Sequence, residues 1–454
     1  MGFTSIILAA GMGTRMKSKM PKVLHRVCGK PLCKWVIDAS KAAGAEQVVT
    51  VVGHKAELVQ SVLDGQTEFA LQREQKGTGH AVQQVKSFLE GYIGHVVILN
   101  GDTPLVTADT IQKAITYHEE KGNRMTVITA VLEDATGYGR IVRDISGDVL
   151  KIVEQKDASE QELQIHEINS GMYVFDSTAL LYALEQLTPN NAQGEYYLTD
   201  TLEILLSIDK KVGAYVIGDN DEIRGINDRV QLAEAEKIMQ QRICTMHMKN
   251  GVTVRVPESV VIEADVCIGT DTEIGSGTVL RTGTRIGNGC VIGPNSQLER
   301  AILHDDVEVN CSVIVDSEIE PETHVGPFAY IRPNCRVGKG VKVGDFVELK
   351  NAVIDDGTKI SHLTYIGDAD VGKNVNFGCG TVTVNYDGKK KYRTVIGDHA
   401  FIGCNTNLVS PVKVEDHAYI AAGSTITEDV PEASLAIARA RQVNKAGWKD
   451  KRSE

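Results

Sequence analysis

Residues 266–280 read Val-Cys-Ile-Gly-Thr-Asp-Thr-Glu-Ile-Gly-Ser-Gly-Thr-Val-Leu, with an aliphatic side chain at every sixth position. The spacing continues beyond this stretch. The aliphatic positions are Val256, Ile262, Ile268, Ile274, Leu280, Ile286, Ile292, Leu298, Val307, Val313, Ile319, Val325, Ile331, Val337, Val343, Leu349, Ile354, Ile360, Ile366, Ile396, Ile402, Leu408, Val414, Ile420 and Ile426. A six-residue period of this length predicts a parallel β-helix, in which each aliphatic side chain points into a narrow prism.

Two features interrupt the period. Its register slips near residues 300 and 350, which predicts small insertions or bulges. Residues 385–393 read Asn-Tyr-Asp-Gly-Lys-Lys-Lys-Tyr-Arg, and this polar, turn-forming composition predicts a loop that protrudes from the β-helix. Chance alternation in a β-sandwich is the alternative interpretation, which the length of the periodic run disfavours.

Residues 1 to about 226 follow another pattern, in which short apolar runs alternate with amphipathic stretches. The runs at 48–52, 96–99 and 126–131 are typical of buried strands, and residues 32–43 are typical of a helix. This alternation predicts an α/β domain with a mainly parallel sheet, whose ligands bind at the carboxyl ends of the strands. The charged, helical pattern of 227–247 predicts a helix that links this domain to the β-helix of 248–454.

Composition excludes several classes of protein. The chain has 454 residues, enough for two or three domains, and a net charge of −12 makes it a poor candidate for binding nucleic acid. Its nine cysteines are odd in number and contain no Cys-x-x-Cys pair, which favours reduced thiols in a cytoplasm over a disulfide framework. We expect no signal peptide, because the first residues lack a charged n-region followed by a long apolar run. We expect no membrane insertion, because no apolar run approaches about 18 residues.

The stretch from Ile6 to Met16 joins an apolar run to a turn that contains Gly11 and Gly13. Glycines let the backbone approach a ligand, and their N–H groups can hold phosphate oxygens. Arg15 and Lys22 add positive charge, so a polyphosphate pocket is expected here. Two glycines alone are equally compatible with an ordinary strand-to-helix turn, since this is neither a dinucleotide fingerprint nor a Walker A loop.

A series of motifs in a fixed order makes a more specific pattern. They are Leu8 to Arg15 with Pro21-Lys22, Gln72-x-x-Gln75-x-Gly77-Thr78-Gly79-His80, Gly101-Asp102, Thr136-Gly137-Tyr138-Gly139-Arg140, Ile168-Asn169-Ser170-Gly171, Asn191-x-x-Gly194-Glu195-Tyr196-Tyr197, Gly225-Ile226-Asn227, His362-x-x-Tyr365 and Asn385-Tyr386-Asp387-Gly388. With them, nearly the whole chain resembles the bacterial bifunctional N-acetylglucosamine-1-phosphate uridyltransferase / glucosamine-1-phosphate acetyltransferase family.

The resemblance implies a two-step activity. Glucosamine 1-phosphate is acetylated with acetyl-CoA, and the product then receives UMP from UTP with release of pyrophosphate. The UDP-N-acetylglucosamine formed would feed cell-wall and lipopolysaccharide precursors. The resemblance also implies that the β-helix is left-handed and that the chain forms a homotrimer.

For the first half, the resemblance implies a site for UTP, N-acetylglucosamine 1-phosphate and Mg²⁺. Asp102 and Asn227 would hold the metal, and Arg15 and Lys22 would bind phosphates and stabilise the transition state. Other substrate contacts are assigned to Leu8, Ala9, Ala10, Gly11, Gln72, Gly77 and Thr78 (uracil and ribose), to Gly139, Glu154 and Asn169 (the sugar), and to Asn100 and Gly101. From the residues alone, Asn227 could equally be a helix N-cap and Glu154 a solvated charge.

For the second half, the resemblance implies acetyl transfer to a sugar amine, with His362 as general base and Glu348 as its orienting partner. The resemblance also implies that the phosphate and hydroxyls of glucosamine 1-phosphate are bound by Arg332, Lys350, Tyr365 and Asn376. Substrate or the acetyl group would be held by Asn385 and Tyr386, and acetyl-CoA would lie near Cys379, Cys404, Ala422 and Arg439. A covalent acetyl-cysteine is a less favoured alternative to direct transfer.

Two other functions are compatible with parts of this pattern. The chain could be a sugar-1-phosphate nucleotidyltransferase whose β-helix only mediates oligomerisation. His362, Lys350 and the loop from Asn385 favour the bifunctional interpretation, because a purely structural prism needs none of them. The occurrence of Asp102, Arg15 and Lys22 together disfavours a non-enzymatic scaffold.

Overall fold

The computed structural model of the chain describes residues 2–191 and 193–448. The chain divides into two compact units, 1–239 and 240–454, and the boundary falls within the helix Arg229–Lys249. No helix in the described residues is both long and apolar enough to cross a lipid bilayer. All nine cysteines are free.

The first unit is built on one large sheet. Strands β1 to β11 are Phe3–Ala9, Arg26–Val27, Lys30–Pro31, Ala45–Val52, Glu68–Leu71, His95–Asn100, Met125–Val131, Arg140–Arg143, Val149–Val153, Glu167–Asp176 and Val212–Val216. Helices α1 to α8 are Leu32–Ala42, Ala56–Leu63, Thr78–Gln83, Lys86–Leu89, Ala108–Lys121, Ser177–Gln186, Asp200–Leu206 and Arg229–Lys249. Short 3₁₀ helices occupy Thr14–Met16, Lys22–Leu24, Glu162–Gln164 and Asn220–Ile223.

The order of strands in this sheet is β11-β7-β10-β6-β1-β4-β5, with β8 and β9 attached through β10. Neighbours along this path are parallel except at β10, which runs antiparallel to both β6 and β7. The predicted α/β domain with a mainly parallel sheet is therefore confirmed, and the three predicted strands lie within β4, β6 and β7.

Alternate side chains of β1 reach opposite faces of the sheet. Phe3 and Ile7 join one buried apolar cluster, which includes Val36 and Ile37 of α1. Ile6 joins the other cluster, on the opposite face. Because a strand has a period of two, a sheet with both faces covered needs apolar residues at consecutive positions, which explains the unbroken apolar run at the start of the chain.

The second unit is a parallel β-helix, as the six-residue period predicted. Its strands are Thr253–Val254, Val261–Ile262, Cys267–Ile268, Glu273–Ile274, Val279–Leu280, Arg285–Ile286, Val291–Ile292, Gln297–Glu299, Ile302–Leu303, Glu308–Val309, Val313–Val315, Ser317–Ile319, His324–Val325, Tyr330–Ile331, Cys335–Val337, Lys342–Asp345, Glu348–Ile354, Lys359–His362, Tyr365–Val371, Asn376–Phe377, Val382–Val384, Thr394–Ile396, Phe401–Ile402, Asn407–Val409, Val412–Val414, Tyr419–Ile420, Thr425–Ile426 and Leu435–Ala436, with a 3₁₀ helix at Pro257–Ser259. Each pairs in parallel with a strand one coil away.

The register slips were predicted as insertions or bulges, and this prediction is wrong. Val279 pairs with Gln297, eighteen residues on, but Gln297 pairs with Val313, only sixteen residues on. Near residue 350 a coil is likewise shortened, since Lys342 pairs with Lys359 after seventeen residues. The slips are therefore deletions at the corners, where a coil can lose a residue while its strands stay paired.

The interruption at 385–393 does form a loop. It lies between the strands Val382–Val384 and Thr394–Ile396, and an antiparallel bridge joins Tyr386 to Lys391. Tyr386 and the three lysines are exposed. The predicted protruding loop is confirmed.

Replacing Ile292 by alanine should destabilise the β-helix unit by roughly 2–5 kcal/mol. Ile292 is fully buried in the prism, and the neighbouring coils cannot collapse onto the cavity without losing their strand pairing. Thermal unfolding would measure the effect. Val291→Ala is the matched control, because Val291 is 44% exposed and points outward; equal effects of the two substitutions would contradict this packing.

Candidate active sites

Three polar side chains from distant parts of the chain meet in the first unit. Lys22 lies on the 3₁₀ helix Lys22–Leu24, Asp102 follows β6, and Asn227 precedes α8. Lys22 Nζ forms an ion pair with Asp102 Oδ2 and donates a hydrogen bond of 3.0 Å to Asn227 Oδ1. Two oxygen atoms thus converge on one cation, at side chains that are only 15% (Lys22) and 20% (Asp102) exposed.

The backbone fixes Asp102 in this position. The N–H of Gly101 donates to the carbonyl of Leu8 at 2.9 Å, which ties the end of β6 to the end of β1. The N–H of Ile226 donates to the carbonyl of Asp102, also at 2.9 Å. The structure therefore brings the Leu8 strand end, Gly101-Asp102 and Asn227 together, as expected for ligand-binding strand ends.

The alternative role of Asn227 as a helix N-cap is excluded by its neighbour. Helix α8 begins at Arg229, and Asp228 Oδ1 accepts hydrogen bonds of 2.9 Å from the N–H groups of Val230 and Gln231. Asp228 is therefore the cap. The side chain of Asn227 remains directed at Lys22.

The glycine-containing turn places a second cation beside this group. Gly13 has φ +60°, and a Cβ there would lie 2.5 Å from Cβ of Lys22, so the turn and the lysine segment pack closely. Arg15 is exposed and makes no hydrogen bond or ion pair with any part of the chain that the structure describes. Its guanidinium is therefore available to an anion.

Three of the residues predicted to hold the nucleoside, Gln72, Gly77 and Thr78, lie together. Gln72 is buried, its Nε2 donates to the carbonyl of Gly77 at 3.2 Å, and it lies 3.1 Å from His80 Nδ1. Thr78 Oγ1 accepts from the N–H of Leu198 at 3.1 Å. Gly77 needs φ +105°, and a Cβ there would also strike the backbone of residue 196.

The residues predicted to hold the sugar form another group. The N–H of Asn169 donates to the carbonyl of Gly139 at 2.9 Å, and a Cβ on Gly139 would lie 3.5 Å from both carboxylate oxygens of Glu154. Burial raises the pKa of Glu154, with Asp157 and Asp200 adding to the rise. Glu154 is thus half-buried among other carboxyls, which argues against the solvated-charge alternative.

Asn100 lies at the edge of this sugar group. Its Nδ2 donates to the carbonyl of Ser170 at 3.1 Å and approaches Gly171. The side chain of Asn100 thus positions the segment that holds Asn169.

In the second unit, coil stacking aligns several predicted residues in one column. Asp345 pairs with His362, and the N–H of Gly380 donates to the carbonyl of Leu363 at 2.9 Å, which sets Cys379 on the coil next to His362. The pairings of Phe377 with Ile402 and of Ile402 with Ile420 continue the column. It runs through Asp345, His362, Cys379, Cys404 and Ala422. Arg439 lies near its end, since a Cβ on Gly423 would lie 3.9 Å from Cδ of Arg439.

His362 has a different partner from the one predicted. Its Nδ1 lies 2.7 Å from Asp345 Oδ1, whereas Glu348 Oε1 accepts a hydrogen bond of 2.8 Å from Arg332 Nη1. The predicted contact between Glu348 and His362 is therefore wrong, and the carboxylate beside His362 is that of Asp345. The physical reason is register, because coil stacking sets residue 345 directly under 362 and pairs Glu348 with Tyr365 instead.

The hydrogen bond to Asp345 also fixes the proton on His362. An ionised carboxylate only accepts, so Nδ1 carries a hydrogen in this contact, and the tautomer that fits it has the lone pair on Nε2. This hydrogen bond holds the pKa of Asp345 below its ordinary value. The imidazole is 60% exposed, so molecules in solution can reach the ring.

Three other predicted residues of the second unit form a group centred on Asp368. This carboxylate lies 3.6 Å from Lys350 Nζ and accepts a hydrogen bond of 2.6 Å from Asn351 Nδ2 and another from Asn385 Nδ2. Asn385 Nδ2 also lies 3.5 Å from the hydroxyl of Tyr365. Lys350, Tyr365 and Asn385 are thus brought together.

Two predicted residues are less closely tied to this group. Asn376 pairs through its backbone with Lys359, in the sheet that contains the column, and its side chain has no hydrogen bond within the described residues. Tyr386 lies on the protruding loop, where its hydroxyl donates to the carbonyl of Gly388 at 2.7 Å.

Sequence reasoning missed Asp345 and Asp368. A signal for both was present in the repeat: each precedes a predicted residue, His362 and Asn385 respectively, by seventeen residues, the length of a shortened coil. A carboxylate one coil before a base or an amide is a candidate partner in any β-helix.

Comparison with known proteins agrees with these two architectures. Residues 4–221 match the nucleotidyl transferase family, residues 316–351 and 393–428 match the bacterial transferase hexapeptide (six repeats) family, and residues 259–297 match the hexapeptide repeat of succinyl-transferase. A nucleotidyltransferase domain followed by a hexapeptide β-helix defines a transferase with two distinct folds in one chain.

Full-length relatives narrow this class to one family. The chain is 58% identical to the bifunctional protein GlmU of Acetivibrio thermocellus, over 98% of this chain and 96% of that protein. It is 55% identical to bifunctional protein GlmU of Caldanaerobacter subterraneus subsp. tengcongensis (99% and 98%) and 52% identical to that of Clostridioides difficile (100% and 99%). The chain belongs to the bifunctional GlmU family.

Proposed function

We propose that this bifunctional enzyme makes UDP-N-acetylglucosamine in two steps. Residues 248–454 acetylate glucosamine 1-phosphate with acetyl-CoA. Residues 1–226 then transfer UMP from UTP to N-acetylglucosamine 1-phosphate, and residues 227–247 link the two domains. The observation that best supports two sites is the column from Asp345 to Ala422, because an oligomerisation module needs no oriented base at the end of a row of small exposed side chains.

A divalent cation fits the first site, and we propose Mg²⁺. Asp102 and Asn227 offer hard oxygen ligands, and their oxygens already converge on one cation, the Lys22 ammonium. When bound, Mg²⁺ would neutralise charge that develops on the phosphates.

The protein's own contribution to uridylyl transfer is alignment and positive charge. The attacking oxygen belongs to a sugar phosphate and is already ionised, so no general base is required. Arg15 and Lys22 would hold the triphosphate and stabilise the negative charge that increases in the transition state. Gln72 and Gly77 would hold the nucleoside, and the group of Gly139, Glu154 and Asn169 would hold the sugar.

Acetyl transfer requires a free amine at the acceptor sugar. Nε2 of His362 would take the proton of the amine as the amine attacks the thioester, and Asp345 would hold the imidazole in the required orientation. Arg332 and Lys350 would bind the phosphate of glucosamine 1-phosphate, with Tyr365 and Asn376 at its hydroxyls. Direct transfer remains our proposal, because no role for a thiol nucleophile is needed.

The thioester donor would lie along the exposed column. Cys379, Cys404 and Ala422 are small, so a CoA chain could pass beside them, and the Arg439 guanidinium suits a CoA phosphate. We further propose a homotrimer, which the hexapeptide repeat supports as an oligomer-forming fold. Light scattering on the purified protein would test for three chains.

A split assay distinguishes this function from a nucleotidyltransferase with a structural β-helix. Glucosamine 1-phosphate and acetyl-CoA are supplied without UTP, and release of CoA is followed. Release is expected, and UTP with N-acetylglucosamine 1-phosphate should separately give pyrophosphate. Formation of pyrophosphate without any release of CoA would indicate that the β-helix is only an oligomerisation module.

Asp345→Asn should lower kcat for acetyl transfer by roughly tenfold or more, with little change in KM for either substrate. An asparagine can donate to Nδ1, which favours the wrong tautomer, but it leaves the binding residues in place. Steady-state kinetics would separate the two constants. Glu308→Gln is the matched control, since Glu308 pairs with His324 (2.8 Å) elsewhere on the β-helix; an equal loss there would refute a specific role for Asp345.

A further inference from the structure

One side-chain cluster on the β-helix belongs to neither candidate active site. It consists of His304, Glu318 and Glu320, whose ligand atoms all lie within 4.8 Å of one another. His304 Nε2 is 2.9 Å from Glu318 Oε1 and 3.8 Å from Glu320 Oε2. All three side chains are partly exposed, so an ion in solution can reach them.

The fold itself assembles this cluster. Leu303 pairs with Ile319 in parallel strands one coil apart, so His304 stands beside Glu320. Glu318 lies two residues before Glu320 and faces the same way, because side chains of a strand alternate with a period of two. The backbone N–H of His304 donates to the carbonyl of Ile319 at 3.0 Å, which fixes the separation of the two coils.

We propose that His304, Glu318 and Glu320 form a binding site for a first-row divalent transition metal, of which Zn²⁺ is the best fit. One imidazole nitrogen with two carboxylate oxygens suits Zn²⁺ better than Mg²⁺ or Ca²⁺, which prefer oxygen ligands alone. Zinc–ligand distances of about 2.0–2.2 Å place tetrahedral ligands about 3.4 Å apart. The observed separations of 2.9 and 3.8 Å lie on either side of that value.

The charges around the cluster are compatible with a cation. Arg336 Nη2 donates to Glu320 Oε1 at 2.9 Å, which leaves Oε2 directed at His304. The Arg336 side chain is 65% exposed, so its charge is screened by water. Two carboxylates and one guanidinium leave one net negative charge, and water would complete the zinc coordination.

The β-helix offers a matched comparison in His324 and Glu308. His324 Nδ1 lies 2.8 Å from Glu308 Oε2, much as His304 lies beside Glu318. No third ligand accompanies that pair in residues 2–191 and 193–448. A zinc site that depends on three ligands should therefore be lost in His304→Ala and retained in His324→Ala.

The test measures zinc binding to the full-length, reduced protein after treatment with a chelator, without substrates. Zinc that binds elsewhere on the protein should contribute equally to the parent and to each variant, so the comparison between them isolates the site at His304. We expect His304→Ala to bind one zinc equivalent fewer than the parent, and Glu318→Gln and Glu320→Gln to weaken that equivalent at least tenfold. Zinc should also raise the melting temperature of the parent more than that of His304→Ala, because the ion binds the folded state.

Three results would overturn the proposal. One is an unchanged zinc stoichiometry and affinity in His304→Ala. The second is the same loss in His324→Ala, which would indicate nonspecific binding to surface imidazole. The third is zinc at other residues in anomalous diffraction from zinc-soaked crystals, with no zinc at His304. Since the side chain of His304 is 40% exposed and that of His324 is 56% exposed, loss of folding, checked by circular dichroism, is not expected in either variant.

Discussion

Replacing Asp102 by alanine should reduce uridylyl transfer by roughly a thousandfold or more, while acetyl transfer continues at its normal rate. The substitution removes one of the two proposed oxygen ligands of the metal, and it leaves the Lys22 ammonium with Asn227 as its remaining partner. The backbone bonds from Gly101 to Leu8 and from Ile226 to residue 102 persist, so the strand ends should keep their positions. Pyrophosphate release and CoA release, measured separately, would report the two activities.

Asp109→Ala is the matched control for this substitution. Asp109 is an exposed carboxylate in the first turn of α5 that pairs with Lys113, so its removal changes the charge by the same amount outside the site. It should leave both activities intact. Loss of acetyl transfer in a folded Asp102→Ala protein would contradict the assignment of the two reactions to separate sites.

The spacing of apolar residues predicted the fold of both units well, because only certain positions of each strand are buried. An aliphatic residue at every sixth position has few uses other than to fill a prism, and Ile274, Ile292 and Leu298 do so without exposure to solvent. Consecutive apolar residues such as Ile6 and Ile7 likewise indicate a strand covered on both faces. The sequence did not show whether the register slips are insertions or deletions, since both shift the six-residue spacing of the aliphatic positions.

Polar partners were harder to predict, because they depend on which coils or strands become neighbours. The sequence left Asn227 as a possible helix cap, and only the start of α8 at Arg229 assigns that role to Asp228. Glu348 precedes His362 at nearly the same distance as Asp345 does. A difference of three residues, half of one hexapeptide, decides which carboxylate meets the imidazole.

Replacing His362 by alanine should lower acetyl transfer by about a hundredfold to ten-thousandfold and leave uridylyl transfer unchanged, the reverse of the Asp102 result. Without Nε2, no group at that position accepts the proton of the attacking amine. The Asp345 carboxylate lies on the Nδ1 side of the imidazole, away from Nε2, so it should not replace the lost base. Consumption of acetyl-CoA is a better measurement than detection of CoA with a thiol reagent, because Cys379 and Cys404 are themselves free, exposed thiols that such a reagent can reach. His324→Ala, which removes another exposed imidazole paired with a carboxylate, should keep full activity. If His362→Ala retained normal acetyl transfer, the base would have to be another group, and the column from Asp345 to Ala422 would no longer identify the acetyl-transfer site.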